Sequence, residues 1–541
     1  MIQILFILIF HSLIGQAATI AIIDTGFDLD HEYLRPKILK KETDEEALEF
    51  VGQDLFDNSH LKKPVIDDKS ELQEILLYRN LRAKGHRQGL SVEEFEWYKK
   101  KKADKSFMDK VKLFKRHSHG TFVAGIALRE GENINIFPIR GLNLPNPVVA
   151  VEDASEQGKE APKGKTAEEK FHDEIRQSVN RVSKKFSKIC RFVSQKKIEI
   201  VNASYGITYK NIMTKFRERY KEMTGNDIEE TSLKIIVDDY FAKLYQSGEK
   251  TMKRYPHILF VFSAGNSGLN NDEYHHYPSR IKVPNAIAVA AMNGEYLATF
   301  SNFGKDHVDI GAPGVAILSI VPKVYSDDGS ELYSPASGTS MSAPYISNLA
   351  AQIKNTNPKL GPAEIKKIIL ETGEIKEHLQ TKIYSAAVAN NHKAIKAALL
   401  SKDMILDQAI TLGKSDLVPM EDKVSIGLSP ARAPEDMQKK VMESFPSVIT
   451  PQEVEDIQDE ESTSAKSSLL KDQETKQPDN LSQLPLSDPE VQEKSPDPVP
   501  ASQTEEQSQK SSEELPASSS EPQSSLPEAQ SQASGPSSPQ L

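Results

Sequence analysis

Short apolar runs, each joined to one polar residue of a distinct kind, organise the first four hundred positions of this chain. Residues 19–23 (Thr-Ile-Ala-Ile-Ile) are mostly β-branched and read as a buried parallel strand ending at Asp24, after which Thr25-Gly26 turns the chain. Residues 260–264 (Phe-Val-Phe-Ser-Ala) form a second apolar strand, running into Gly265-Asn266-Ser267-Gly268, where two glycines permit a tight turn that aims an amide outward. Residues 119–127 (His-Gly-Thr-Phe-Val-Ala-Gly-Ile-Ala) place Gly120, Ala124 and Gly125 where a helix would start close against a sheet. Residues 345–353 are a helical run rich in small side chains, preceded by Gly338-Thr339-Ser340-Met341-Ser342-Ala343-Pro344. Pro344 suits the first turn of that helix, where a missing N–H costs nothing.

Between these runs the pattern changes. Residues 61–116 read as helical surface additions, with Ser91 and Glu94 forming a capping-box pattern ahead of Phe95, Trp97 and Tyr98. The lysines at 99–102 are most simply a solvated helix face, with an anionic partner or a processing site as the sharper alternative. A polar stretch, about 145–166, reads as a loop, and a charged stretch, about 211–250, as helix. A last helix near 386–400 closes the domain at about residue 400, and 401–445 read as a linker.

Composition divides the 541 residues further. No aromatic residue follows Phe445, and Ser, Pro, Gln and Glu dominate to the end, so residues 446–541 are expected to be a disordered acidic tail. Its last 61 residues hold ten acidic side chains against Lys494 and Lys510, and so carry eight of the eleven net negative charges. The acidity therefore belongs mostly to the tail, and no nucleic-acid partner is expected. At the other end, residues 2–14 are apolar apart from Gln3, His11 and Ser12, and Gly15-Gln16-Ala17-Ala18 supplies small residues for cleavage. Residues 1–17 thus read as a secretory signal, too short to span a bilayer, and no transmembrane anchor is expected. The single cysteine, Cys190, cannot form an internal disulfide and reads as a core residue.

The chemistry starts at Ser340. A helix N-terminus carries partial positive charge and unsatisfied N–H groups, which favour an oxyanion on or beside a serine placed there. A serine hydroxyl also needs a base and an orienting carboxylate, and His119 and Asp24 supply both residue types. Asp24 lies at the C-terminal end of its strand, where α/β sheets place their sites. An isolated Asp-Thr-Gly also marks aspartic proteases, but those need a second such loop, and none is visible.

These blocks, in the order Asp, His, Ser, resemble those of the subtilisin-like serine proteases (subtilases) over roughly residues 18–400. Residues 22–26, 119–121 and 338–341 carry the resemblance, 260–268 support it, and 201–206, 300–304, 310–314 and 383–388 extend it. It implies an α/β fold with a mostly parallel, doubly wound sheet and helices on both faces. It also implies a serine endopeptidase with Asp24, His119 and Ser340 as catalytic residues and Asn266 as oxyanion donor. Ser204, Tyr205 and Gly206, with Ser263, Ala264 and Gly265, would bind an extended polypeptide, and His276 and Ser267 would line the primary pocket. The alternative is a subtilisin fold that has lost catalysis and serves as a binding scaffold.

The chemistry implied by the resemblance needs no cofactor. Calcium is common in the family, but no ligand set aligns, and Asp28, Asp30 and Asp57 stay unassigned, with surface carboxylates the simpler reading. A monomer that is secreted, periplasmic or held at the cell surface is expected. His119 follows Asp24 by 95 positions, so an insertion lies between them. The first strand begins at about Thr19, leaving no room for the propeptide that usually assists folding in the family; either the enzyme folds unaided, or the inserted helices or the C-terminal region take over that task, or the true start lies upstream.

Overall fold

A computed structural model describes residues 17–39, 63–129, 133–141, 165–326 and 333–415. Residues 1–16 of the expected secretory signal (1–17), Asp57, residues 145–164 of the expected loop (about 145–166) and the expected tail from 446 lie outside the described residues.

In chain order the strands are β1 (Ala18–Asp24), β2 (Ile134–Arg140), β3 (Ile200–Ala203), β4 (Ile207–Thr208), β5 (Leu259–Ser263), β6 (His276–Tyr277) and β7 (Ala286–Asn293). They continue with β8 (Tyr296–Leu297), β9 (Ile310–Pro313), β10 (Ile317–Ile320), β11 (Tyr333–Ala336), β12 (Glu374–Ile375) and β13 (Ala387–Val388). Among the described residues the main sheet runs β12-β13-β9-β7-β5-β3-β1-β2, with β8 on β7. Every pairing from β13 to β2 is parallel, and only β12 and β8 run antiparallel.

β1 pairs with β2 and β3, which places it inside the sheet and accounts for its unbroken apolar run. Its Ile20 and Ile22 join one core and Ala21 and Ile23 the other, as a two-residue period requires. Helices α1 (Lys69–Gln88), α2 (Val92–Ala103) and α3 (Lys105–Ala127) pack into the first core. So do α7 (Thr339–Thr356), α8 (Pro362–Glu371), α9 (Asn391–Leu400) and α10 (Leu406–Lys414). The second core receives α4 (Ala167–Gln195), α5 (Tyr209–Thr224) and α6 (Glu230–Arg254). Helices on both faces of a parallel sheet make this the doubly wound α/β fold that the sequence implies.

Four expectations change. The helix expected to begin at His119 begins fourteen residues earlier, at Lys105, and is capped by the Asp104 carboxylate, which accepts from the Phe107 N–H at 3.1 Å. Its first half buries Phe107, Val111, Phe114 and Ser118 on one stripe, and from Gly120 onward every residue is buried, so one helix carries His119 inward from the surface. Second, α1 and α2 are more than surface additions. Tyr78 stacks on Tyr98 at 4.7 Å, Lys84 pairs with Glu94 at 2.7 Å, and both tyrosines belong to the main core. The expected capping box at Ser91 and Glu94 does start α2. Lys101, from the lysine run, pairs with Glu74 at 2.6 Å and lies over the Phe107 ring, while Lys99 and Lys100 are exposed.

Third, the segment 386–390 holds β13, and the final helix of that region starts at Asn391. Fourth, the expected linker from 401 begins with a folded element: α10 buries Ala409, Ile410 and Gly413, and a Cβ at Gly413 would come within 2.9 Å of Ala397 in α9. The charged stretch near 211–250 is helical as expected, in α5 and α6, and Cys190 is buried in α4.

Candidate active site

Asp24 ends β1 and is fully buried. The His119 Nδ1 lies 2.7 Å from its Oδ1, which also accepts the Thr25 N–H at 2.7 Å, while Oδ2 has no hydrogen-bond partner among the described residues. The pair forms because α3 crosses the turn after β1 with no room to spare. A Cβ on Gly120 would sit 2.1 Å from the Gly26 carbonyl oxygen, so only glycine allows this approach.

Ser340 is the second residue of α7, with Gly338 at its N-cap. Pro344 lies inside the helix rather than in its first turn as expected, so the Ser340 carbonyl has no N–H four residues on to bond. The Ser204 hydroxyl takes that place, donating to the Ser340 carbonyl at 3.1 Å. In return the Ser340 hydroxyl donates to the Ser204 carbonyl at 3.1 Å. These reciprocal bonds tie the end of β3 to the helix start.

Asn266 follows β5 in an exposed turn. Its Oδ1 accepts from the Thr339 N–H at 2.8 Å and the Thr339 hydroxyl at 3.1 Å, which leaves Nδ2 as the atom free to face the cleft. The Thr339 hydroxyl also accepts from the buried Gly265 N–H at 3.1 Å. Below the turn, Asn302 accepts from the Ser267 N–H at 2.8 Å and donates to Asn271 at 2.9 Å, and Asn271 donates to the Ala264 carbonyl at 2.9 Å. Thr339 and Asn271 lie in or near recognisable segments, yet nothing in their local sequence marks them as supports for Asn266.

A cavity of about 60 Å³ is lined by His119, Asn266 and Ser340 together. Of the other residues expected to bind substrate, Gly206 is exposed, Tyr205 half-buried and Ser204 buried. Ser263 is buried, and the Ala264 and Gly265 main chains are engaged within the protein, by Val289, Asn271, Thr339 and Asn302. His276 is buried behind them: a Cβ on Gly206 would come within 2.2 Å of its ring, and one on Gly265 within 2.9 Å. Burial pushes its pKa down to about 4, so this imidazole is neutral at pH 7, with Nδ1 2.7 Å from the Ser279 hydroxyl.

No cluster of three His, Cys, Asp or Glu side chains that could hold a metal occurs among the described residues. The Asp28 carboxylate instead accepts from the Asp30 and Lys323 N–H groups, at 3.2 and 2.8 Å.

A parallel sheet with an Asp–His pair, a helix-terminal serine and an outward-facing amide beyond the C-terminal ends of its inner strands defines a class of hydrolase built for acyl transfer. The profile of the subtilase family matches residues 15–397, and the chain belongs to that family, the subtilisin-like serine proteases. It is 36% identical over 116 residues to alkaline elastase YaB of Bacillus sp. (strain YaB), covering 21% of this chain and 27% of that protein. It is 31% identical over 140 residues to subtilisin BL of Lederbergia lenta, covering 26% and 46%. The chain thus spans less than half the length of these curated relatives. A solved lanthipeptide protease aligns over 70% of this chain and 87% of its own, with 18% identity and a TM-score of 0.37.

Proposed function

We propose that this chain is a secreted serine endopeptidase in which Ser340 attacks the peptide carbonyl and an acyl-enzyme is then hydrolysed. The observation that carries the reading is the 2.7 Å bond from His119 to Asp24 beside a cavity that His119 shares with Ser340 and Asn266. Asp24 holds the proton on His119 Nδ1, which leaves Nε2 as the base that takes the Ser340 proton and returns it to the leaving amine. The tetrahedral oxyanion would be held by Asn266 Nδ2 and by the Ser340 N–H, an orphan donor of the helix start.

An extended substrate would pair its main chain with residues 204–206 as an added strand. The Ser204 carbonyl holds the Ser340 hydroxyl. A substrate N–H that takes this carbonyl would release the hydroxyl to turn toward His119, coupling binding to activation. The neutral His276 ring behind Gly206 and Gly265 fills the space a deep apolar slot would need, which favours small side chains before the scissile bond. No helix among the described residues is long and apolar enough to cross a membrane, and the apolar stretch at 2–14 is the observation behind secretion.

A fluorophosphonate probe applied to the purified protein tests the reading. Labelling of wild type that disappears in Ser340→Ala supports it. A protein that binds peptide but is not labelled would be a scaffold.

A further inference from the structure

Part of the cavity wall comes from the helical segment inserted between Asp24 and His119. α1 brings Arg79 and Arg82 to it, α3 brings Lys115, and the strand before the nucleophile adds Pro335 and Ala336. Among the described residues, no aspartate or glutamate lines the cavity.

Arg79 is fixed in place. Its Nε donates to the Ser334 hydroxyl at 2.9 Å and one Nη donates to the Pro335 carbonyl at 3.2 Å, both in β11. Its guanidinium carbon lies 5.2 Å from the Phe114 ring centre and 5.8 Å from that of Phe122, and Phe122 is three residues beyond His119 on α3. All these partners are neutral. The surrounding protein and the neighbouring Arg82 press its pKa down to about 10, so it stays charged at pH 7 with no carboxylate partner among the described residues. A guanidinium held rigidly on two aromatic faces, its fork half used by neutral acceptors, is arranged to receive a carboxylate from outside the chain.

The side of the cleft follows from its lining. Ser204, Tyr205 and Gly206, the proposed partners of the residues before the scissile bond, do not line this cavity, whereas Ser340, His119 and Met341 do. Resting on the serine-protease reading, we infer that Arg79 is a specificity-determining residue that binds a carboxylate on the leaving-group side of the scissile bond. The carboxylate is either an acidic side chain or the free C-terminus of a short leaving segment.

The test uses the full-length protein and matched fluorogenic peptides. One pair places Glu or Gln in the two positions after the scissile bond, with the C-terminus amidated. The other keeps those positions neutral and ends two residues after the bond, as a free acid or an amide. Wild type is expected to favour the carboxylate member of at least one pair by about tenfold or more in kcat/KM, as a charge-assisted hydrogen bond in a partly desolvated site provides. The selective pair identifies the source.

Arg79→Met should bring that ratio close to one, and Arg79→Lys should keep part of it. The ratio is read within each protein, so a general loss from disturbing β11 cancels. Equal rates in both pairs for wild type, or a ratio unchanged in Arg79→Met, would overturn the inference while fluorophosphonate labelling of Ser340 still upheld the protease reading. Absence of that labelling would overturn both.

Discussion

Replacing Thr339 by valine isolates how the protein positions Asn266. Valine keeps the shape of a side chain that is fully buried, and removes only the hydroxyl. Two bonds disappear: the 3.1 Å donation to Asn266 Oδ1 and the 3.1 Å acceptance from the Gly265 N–H. The first loss is partial, since the Thr339 N–H still holds Asn266 Oδ1 at 2.8 Å. The second leaves a buried donor unsatisfied, which costs about 1–3 kcal/mol. Stability should therefore fall by about that amount.

The Asn266 amide, held by one bond in place of two, should spend less time aimed at the oxyanion. Losing an oxyanion donor outright lowers kcat about 10²–10³-fold, a magnitude known from subtilisin and borrowed from that relative. A loosened donor should lose less, about tenfold, with KM nearly unchanged because the bond forms in the transition state. Urea denaturation gives the first number and peptide hydrolysis the second. Thr339→Ser, which keeps the hydroxyl and loses a methyl, should recover most of kcat. A valine variant with wild-type kcat, or a serine variant as slow as valine, would show that this hydroxyl does not position Asn266.

Three further outcomes are expected. His276 has its folded pKa lowered to about 4 from 6.5, so between those values the unfolded chain binds the extra proton; stability contributed by the neutral ring is complete above pH 6.5 and falls by up to about 3 kcal/mol as pH drops to 4, and denaturant titrations of His276→Asn should show a flatter slope in that window. Gly120→Ala drives a methyl into the Gly26 carbonyl, so α3 must shift, and kcat/KM should fall by at least about tenfold while circular dichroism keeps its α/β form; wild-type kinetics would show the Gly26 turn to be freely movable. A chain ending at 415 should be more stable than one ending at 400 by about 2 kcal/mol or more, because α10 buries Ile410 and Ala409 against α9, and equal melting curves would mean that α10 contributes nothing.

The sequence alone determined the local chemistry. β1 is mostly β-branched because it has parallel neighbours on both sides, so its end at Asp24 is visible in the letters. The same holds for the glycine-flanked turn at Asn266, and for Ser340 at the start of α7. Each is set by residues within one or two turns of chain. What tertiary structure decided involves partners far apart in the chain. Pro344 was expected to be harmless in a first turn; within the helix it frees the Ser340 carbonyl, and only the fold shows that Ser204, 136 positions away, satisfies it. The helices of 61–116 look like surface additions because their apolar positions do not say which surface they cover. The fold packs α1 against β11, which sets Arg79 on the same cavity as the nucleophile, 255 positions from its partner Ser334. A hydrogen bond or a buried charge is a pairwise quantity, and one-dimensional pattern carries only half of each pair.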